Sequence, residues 1–287
     1  MAADILSLIH NQMSGFSKGQ KRIANYIAAS YDKAAFMTAN KLGKMVNVSE
    51  STVVRFAVEL GFDGYPDMQK ALQEMVRNKL TAVQRIGVAS DRFGNQDVVS
   101  SVLHSDMESI RMTSDALDRA VLAKAVDTIN RAKHIYIVGV RSSAAIALYM
   151  SFYFRNIFDN VRLVESSATS EMIEQMLHVS KDDVVIGISL PRYSSRTVKA
   201  LEFARDSGAE IVVITDSQDA PAAKLANHVL RAKSDMVSVV DSLVAPMSLV
   251  NALIVSIGQC REQEMSRIFE NLEKIWEEYE VYEGVEA

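Results

Sequence analysis

The spacing of apolar residues divides the 287-residue chain into two parts of different character. Up to about residue 80, and again over residues 98–131, apolar residues recur every three or four positions, which predicts amphipathic helices. From His134 the pattern changes to short apolar runs rich in Val and Ile, with helical stretches between the first four. The runs are HIYIVG, VRLV, VVIGISL, EIVVIT and HVLRA. After Asp241 a helical pattern returns and continues into an acidic tail.

The second pattern is typical of buried parallel strands, because helices cover both faces of such a sheet. With right-handed crossovers, the runs predict a doubly wound, flavodoxin-like parallel sheet of about five strands. We therefore predict an all-α domain over residues 1–80 and an α/β domain over residues 98–287, which also mediates self-association. Residues 81–97 lose clear periodicity and are interpreted as a linker.

Residues 38–65 have the pattern of a helix-turn-helix. The second of two short helices carries apolar residues at i, i+3, i+4 and i+7, which form one stripe. The stripe consists of Val53, Phe56, Ala57 and Leu60. Asn47 stands at the turn, where Asn tolerates the left-handed conformation, and Ser49 is placed to cap the second helix. The second helix of such a motif enters the major groove of DNA, so this segment predicts a DNA-binding domain.

The net charge of −5 is unevenly distributed. Residues 18–58 carry seven Lys or Arg and two acidic residues, whereas residues 81–287 carry 21 basic and 29 acidic residues. A basic module on an acidic body favours phosphate contacts at one end and self-association at the other. A chance cluster of lysines on solvated helix faces would give the same counts.

Composition and missing motifs narrow the class of protein. Cys260 is the single cysteine, and the five histidines lack metal-ligand spacing, so we predict neither an internal disulfide nor a metal site. The sequence contains no GxGxxG and no GxxxxGK[ST], so we predict no nucleotide or other cofactor. Without a signal-peptide pattern or a run of about 18 apolar residues, the expected location is cytoplasmic, with no membrane partner.

Two loops that follow predicted strands combine hydroxyls with arginines. The first is Gly139-Val140-Arg141-Ser142-Ser143, and the second covers residues 189–197 with the sequence SLPRYSSRT. Ligands of such sheets bind beyond the carboxyl ends of the strands, and a helix N-terminus attracts anions. The two loops could therefore converge on one phosphate. The alternative is that these serines and the threonine only cap helices.

Over nearly its whole length the chain resembles the RpiR-type family of phosphosugar-responsive transcriptional regulators. The resemblance rests on VNVSESTVVRFAVELGFDGYPDMQKAL in the first half, and on IVGVRSSAAIA and GISLPRYSSRTVKAL in the second. The latter two look like the loops of a sugar isomerase (SIS) domain. The resemblance implies a non-enzymatic regulator, more often a repressor, that binds double-stranded operator DNA as a homodimer or homotetramer. A phosphorylated sugar in the SIS domain would control its operator affinity.

The resemblance also implies two sets of functional residues. The phosphosugar site would contain Ser142, Ser143, Ser189, Ser194 and Thr197, with Ser195 as a less certain neighbour and with Arg141 and Arg192 added from the loops' own sequences. The DNA-binding set is Ser49, Ser51, Thr52, Arg55, Lys41 and Lys44. Arg55 could read a guanine or hold a phosphate, and we favour the phosphate role.

Arg141 and Arg192 depart from the common SIS pattern. Arg141 stands where many SIS domains have a small residue, and Pro191-Arg192-Tyr193 lengthens the second loop. Two additional guanidinium groups favour an effector with a second acidic group, such as a sugar-acid phosphate. An equally open alternative is that these arginines pair with acids across a subunit contact.

Two other functions remain open from the sequence. SIS folds also build phosphosugar isomerases, which need a general base. Candidate bases follow the second predicted strand: Glu165, Glu171, Glu174 and His178. The chain could also be a scaffold with a vestigial pocket.

Overall fold

The computed structural model describes residues 5–79, 81–93 and 97–282, which form two compact units. Unit 1 contains the described residues up to His104 together with Met236–Asp241. Unit 2 contains the described residues of Ser105–Asp235 and those from Ser242 onward. The second part of unit 1 thus comes from a point far along the chain.

Unit 1 is built from helices. These are α1 (Ile5–Gln12), α2 (Lys18–Ala29), α3 (Tyr31–Ala34), α4 (Ala39–Met45), α5 (Glu50–Glu59), α6 (Tyr65–Lys79) and α7 (Ala82–Phe93), while α8 (Val98–Ala116) begins in unit 1 and ends in unit 2. Their apolar stripes meet in one core, where Ile23, Leu42, Phe56 and Leu72 are fully buried. Ser17 and Gln20 form a capping box at the start of α2.

The segment predicted to be a linker contains a helix, which the prediction missed. At the start of α7, the Gln84 side-chain oxygen accepts a hydrogen bond from the Thr81 backbone amide (3.0 Å). In return, the Gln84 backbone amide donates to the Thr81 hydroxyl (3.3 Å). This is a capping box, which compensates for Gly87 in the helix. Arg85, Val88 and Ala89 give α7 a buried face. Helix α1 was likewise not predicted.

Unit 2 has the predicted architecture. Its remaining elements are α9 (Arg119–Arg131), β1 (Ile135–Gly139), α10 (Ser143–Ile157), β2 (Val161–Val164), α11 (Thr169–Gln175), β3 (Val184–Ile188), α12 (Ser195–Asp206), β4 (Glu210–Thr215), a 3₁₀ turn (Ala223–Leu225), β5 (His228–Arg231), α13 (Val244–Cys260) and α14 (Glu262–Glu278). The strands are parallel in the order β2-β1-β3-β4-β5. This is the flavodoxin-like order, which confirms the predicted fold class.

The two faces of the sheet have separate cores. Side chains of α9, α10 and α13 pack on one face, and those of α11 and α12 pack on the other. The helices that follow the adjacent strands β1 and β3 therefore cover opposite faces. Between the carboxyl ends of these two strands the structure has a topological switch point, where doubly wound sheets bind ligands.

Helix α13 changes one expectation about self-association. From the sequence, the apolar run 243–257 and the acidic tail are candidate surfaces for self-association. In unit 2 the inner residues of α13 are buried in the core instead, among them Leu249, Leu253 and Ile257. By contrast, α14 has no buried residue.

Within the described residues, no single helix is long and apolar enough to cross a membrane. Helices α13 and α14 meet that criterion only when taken together, and they are bent by 102° relative to each other.

Candidate functional site

The loop after β1 brings the start of α10 close to the end of the strand. A Cβ atom on Gly139 would lie 2.7 Å from the Ser143 backbone oxygen, so glycine is needed there for close approach. The turn itself uses Arg141, whose φ of 58° is left-handed. Ser142 is the N-cap residue of α10 but makes no side-chain capping bond, and Ser143 is buried. No side chain therefore caps the start of α10, while the Ala144 and Ala145 amides donate to the backbone oxygens of Arg141 (3.1 Å) and Ser142 (3.3 Å).

The loop after β3 is anchored by several side chains. Ser194 caps α12 by accepting a hydrogen bond from the Arg196 amide (3.3 Å). The Arg196 guanidinium donates to the Ser167 backbone oxygen (2.5 Å), and the Tyr193 hydroxyl donates to Asp216 (2.8 Å). Arg192 adopts a left-handed φ of 62°. Both hydroxyl loops thus contain one arginine in a conformation that favours glycine.

Three buried hydroxyl groups come from different elements: Ser189 directly after β3, Thr197 in the first turn of α12 and Thr215 at the end of β4. Ser189, Thr197 and Thr215 are at most 2% exposed, and none of their hydroxyl oxygens has a hydrogen-bond partner in the described part of the chain. A buried hydroxyl without a partner costs about 1–3 kcal/mol. Such groups indicate a place where a ligand or a water molecule supplies the missing hydrogen bonds.

The sheet register explains why these hydroxyls are close together. Ile188 pairs with Ile214, and the Ser189 amide donates to the Ile214 oxygen (3.0 Å), so Ser189 and Thr215 are the next neighbours across β3 and β4. Side chains alternate along a strand, which places both hydroxyls on the face covered by α12. On that face Leu201 covers Gly187. Thr197 precedes Leu201 by one helical turn and therefore lies nearer the carboxyl edge.

The structure thus places the predicted phosphosugar residues at one edge of the sheet but gives them different environments. Ser189, Thr197 and Ser143 are buried, Ser194 is half-buried, and Ser142, Arg141 and Arg192 are exposed. The sequence analysis missed Thr215. The available signal was a hydroxyl residue at the end of the run EIVVIT, next to the strand that carries Ser189.

The candidate isomerase bases are on the solvent side of the α11 region. Glu165, Glu171, Glu174 and His178 are exposed. Glu171 accepts a hydrogen bond from Ser166, and the Glu165 backbone bonds to the Gln175 side chain through both its amide (3.1 Å) and its oxygen (2.8 Å). These contacts organise the loop after β2.

Helices α4 and α5 form the predicted helix-turn-helix. Asn47 has a φ of 55°, as expected for the turn residue, and Arg22 donates to the Asn47 backbone oxygen (3.0 Å). Ser49 caps α5 by accepting from the Thr52 amide (3.3 Å), and its hydroxyl also bonds to those of Ser51 (2.9 Å) and Thr52 (2.8 Å). The Ser49 hydroxyl therefore helps to build the helix start.

The outer face of α5 is exposed. It presents Ser51, Val54, Arg55 and Val58, whereas Thr52 is half-buried. Lys41 and Lys44 are exposed on α4. The Arg55 side chain donates through Nε to the Ser51 backbone oxygen (3.3 Å), which leaves its terminal nitrogens available for an anion. Val54 and Val58 add apolar surface of the kind that contacts thymine methyl groups.

Gly43 is a helix-turn-helix residue that the sequence analysis overlooked. A Cβ atom there would lie 2.9 Å from the Val48 backbone oxygen. We expect Gly43→Ala to destabilise unit 1 by about 1–3 kcal/mol, because α4 and the turn must separate. Gly87→Ala is the matched control, since no atom lies within 4 Å of its added Cβ, and it should be neutral or stabilising by up to about 1 kcal/mol. Urea unfolding of both variants tests this, and equal effects would contradict it.

Comparison with known proteins divides the chain into the same two domains, a helix-turn-helix domain and a SIS domain. Residues 3–79 match the helix-turn-helix domain of the rpiR family, and residues 128–256 match the SIS domain. An uncharacterised helix-turn-helix-type transcriptional regulator of Clostridium perfringens is 26% identical over 228 residues, which cover 79% of this chain and 80% of that protein.

Two solved structures share the fold. The Vibrio vulnificus NanR protein, solved in complex with ManNAc-6P, has a TM-score of 0.59 and 21% identity, covering 95% of this chain and 97% of NanR. The sugar isomerase domain of an RpiR transcription factor from Sphaerobacter thermophilus has a TM-score of 0.59 and 26% identity, covering 62% of this chain and 99% of that domain.

These matches define a class of protein, the helix-turn-helix transcription regulators that carry a SIS domain. The chain belongs to the RpiR-type family within that class, as the sequence motifs predicted.

Proposed function

We propose that this regulator binds operator DNA through α4 and α5, and that a phosphorylated sugar bound in the SIS domain controls its operator affinity. The observation that carries the proposal is the set of three buried, unpartnered hydroxyls, Ser189, Thr197 and Thr215, at the carboxyl edge of the sheet. A phosphoryl group accepts several hydrogen bonds at once and would satisfy them.

The N-terminus of α10 supports the same proposal. It follows β1, which is adjacent to β3, and no side chain caps it. A helix N-terminus provides about half a positive charge, so a phosphate between this turn and the α12 hydroxyls would need no metal ion. The NanR structure gives independent support, since that protein of the same fold was solved with a phosphosugar.

Regulation follows from a difference in affinity. The sugar phosphate can change operator binding only by as much as its own affinity differs between the DNA-binding and the non-binding arrangement of the protein. We propose a homodimer or homotetramer that binds repeated half-sites and acts as a repressor released by its effector. The rival function, phosphosugar isomerisation, is tested by following ketose and aldose phosphates with NMR, where turnover would favour the enzyme.

The proposed phosphate site makes a direct prediction. We expect a panel of sugar phosphates to contain at least one compound that raises the Tm of the full chain. The double variant Ser189→Ala/Thr197→Val should weaken binding of that compound about 10- to 100-fold in calorimetry. Each hydrogen bond to a charged group contributes about 1.5–3 kcal/mol to binding, and water that hydrates the phosphate in the variant replaces part of this contribution. Its own stability should be unchanged or increased, since two unpartnered buried hydroxyls are removed.

The matched control for this variant is Ser256→Ala. The Ser256 hydroxyl is exposed and donates to the Ala252 oxygen (2.7 Å) within α13. Wild-type affinity in the control together with weakened affinity in the double variant would support the site. A sugar phosphate that binds the double variant as tightly as the wild type would exclude these hydroxyls from the site.

A further inference from the structure

We infer that the effector carries a second anionic group, a carboxylate, and that Arg141 and Arg192 bind it at the rim of the SIS site. The inference rests on the proposed phosphosugar site and specifies its ligand class as phosphorylated sugar acids. It needs three observations: where the two arginines lie, what they contact and how the charges in the site balance.

Each of the two arginines lies in a loop between a strand and the next helix. Each follows one of the adjacent strands β1 and β3 and precedes the helix that covers the site from that side. Their φ angles of 58° and 62° are left-handed, and apart from them the described non-glycine residues with positive φ are Asn47 and Glu280. Because the backbone at these positions favours glycine, the structure carries two arginines where the smallest residue would be less strained.

Neither guanidinium is committed to the protein. Within the described residues, Arg141 and Arg192 have no hydrogen-bond or ion-pair partner, and both are exposed. Two other arginines of unit 2 behave differently. Arg196 donates to the Ser167 oxygen (2.5 Å), and Arg162 donates to the Tyr136 hydroxyl (3.1 Å) and lies over its ring. Arg196 and Arg162 thus stabilise the fold, whereas Arg141 and Arg192 are free to bind a ligand.

The phosphate does not need these arginines. The buried hydroxyls of Ser189, Thr197 and Thr215 lie under the first turn of α12, with oxygen atoms that are nearly inaccessible to solvent. The phosphoryl group that satisfies them would be held by hydroxyls and helix amides on that inner side. Arg141 and Arg192 lie in the exposed parts of the loops, so their partner would be a different part of the same ligand.

The two arginine loops favour additional negative charge on the ligand. Two guanidinium groups and two helix N-termini of about half a charge each provide roughly three positive charges. Arg196 and Asp216 offset each other in sign, and the exposed acids Glu165 and Glu171 belong to the region after β2, where Glu171 accepts a hydrogen bond from Ser166. A neutral sugar phosphate carries two negative charges near neutral pH, and a sugar-acid phosphate carries three. A carboxylate also matches the planar fork of arginine, which binds it through two hydrogen bonds.

The test compares pairs of ligands that share the phosphate and differ in the carboxylate. The probes are glucitol 6-phosphate with 6-phosphogluconate, and ribitol 5-phosphate with 5-phosphoribonate, titrated into the full chain by calorimetry. Within each pair both compounds are open-chain, and a CH2OH group replaces the carboxylate at C1. We expect the acid of at least one pair to bind about 10- to 100-fold more tightly than its neutral partner. In Arg141→Met/Arg192→Met this preference should disappear. The control Arg155→Met, an exposed arginine at the far end of α10, should retain it.

The outcomes separate this inference from the proposed function. If the acid and the neutral sugar phosphate bind equally, the second anionic group is excluded and the phosphosugar site stands. If Arg141→Met/Arg192→Met prefers the acid over its neutral partner as strongly as the wild type does, these arginines do not bind the carboxylate and the inference fails. If no phosphosugar of either kind binds, the proposed function itself fails.

Discussion

Replacing Asp241 with Asn should lower the unfolding free energy of unit 1 by about 3 kcal/mol. Arg85 of α7 is 1% exposed, and its Nη1 atom lies 2.9 Å from Asp241 Oδ1. Removing the carboxylate takes the Asp241 charge away from a buried guanidinium, and breaking a buried ion pair from one side is costly. The loss is expected to be local to unit 1, because both residues belong to it.

The chain offers a control with the same chemical change. Asp235 pairs with Lys233 at 3.1 Å, but these side chains are 33% and 30% exposed. Asp235→Asn should therefore cost less than about 1 kcal/mol. Hydrogen exchange of the full chain, followed in peptides from α6 and from α12, measures the two units separately. Each variant is compared with the wild type in the unit that contains its pair, Asp241→Asn in α6 and Asp235→Asn in α12. Wild-type protection of α6 in Asp241→Asn would show that the buried pair does not stabilise unit 1.

A second variant distinguishes the lost charge from lost packing. Arg85→Met/Asp241→Leu removes both charged groups and retains apolar volume. It should recover most of the stability lost in Asp241→Asn, because both charges of this pair are removed together. If the double variant is as unstable as Asp241→Asn, the segment Met236–Asp241 depends on the geometry of the ion pair, and the electrostatic explanation is wrong.

Replacing Arg55 with Ala should lower operator affinity about 100-fold or more and leave effector binding unchanged. Arg55 is exposed on α5, and its terminal nitrogens are available for a phosphate oxygen. A dimer would lose one such contact in each half-site. Each charged contact contributes about 1.5–3 kcal/mol to binding, and counterions that stay on the DNA in the variant offset part of this loss. Operator affinity is measured by gel-shift titration, with a DNA fragment that the wild-type protein selects from random sequences.

The salt dependence tells the two roles of Arg55 apart. If Arg55 holds phosphates, Arg55→Ala should weaken binding to all sequences and reduce the slope of log affinity against log salt by about one for each lost contact. If it reads a guanine, the variant should instead relax the preference at one base pair. Arg119→Ala changes the charge equally at an exposed position of α9 and should not affect operator affinity. Wild-type affinity in Arg55→Ala would exclude both roles.

Much of the candidate site was predictable because its signals are local. Asn47, Ser49 and the stripe of α5 act within one or two helical turns, and the structure has the expected turn conformation and cap. The five strands were predictable because continuous Val and Ile runs have few other places to be buried. The hydroxyl loops were found because they follow strands that adjoin in a flavodoxin-like sheet.

The sequence by itself therefore determined the helix-turn-helix, the parallel sheet and the two loops at its edge, because periodicity, capping and strand composition act over a few residues. Only the tertiary structure decided which distant groups meet. It paired Arg85 with Asp241, placed Thr215 beside Ser189, buried the inner face of α13 and left Arg141 and Arg192 without a partner among the residues that the structure describes. Such contacts depend on register, crossover and packing, which join positions far apart in the chain and leave no periodic trace in the sequence.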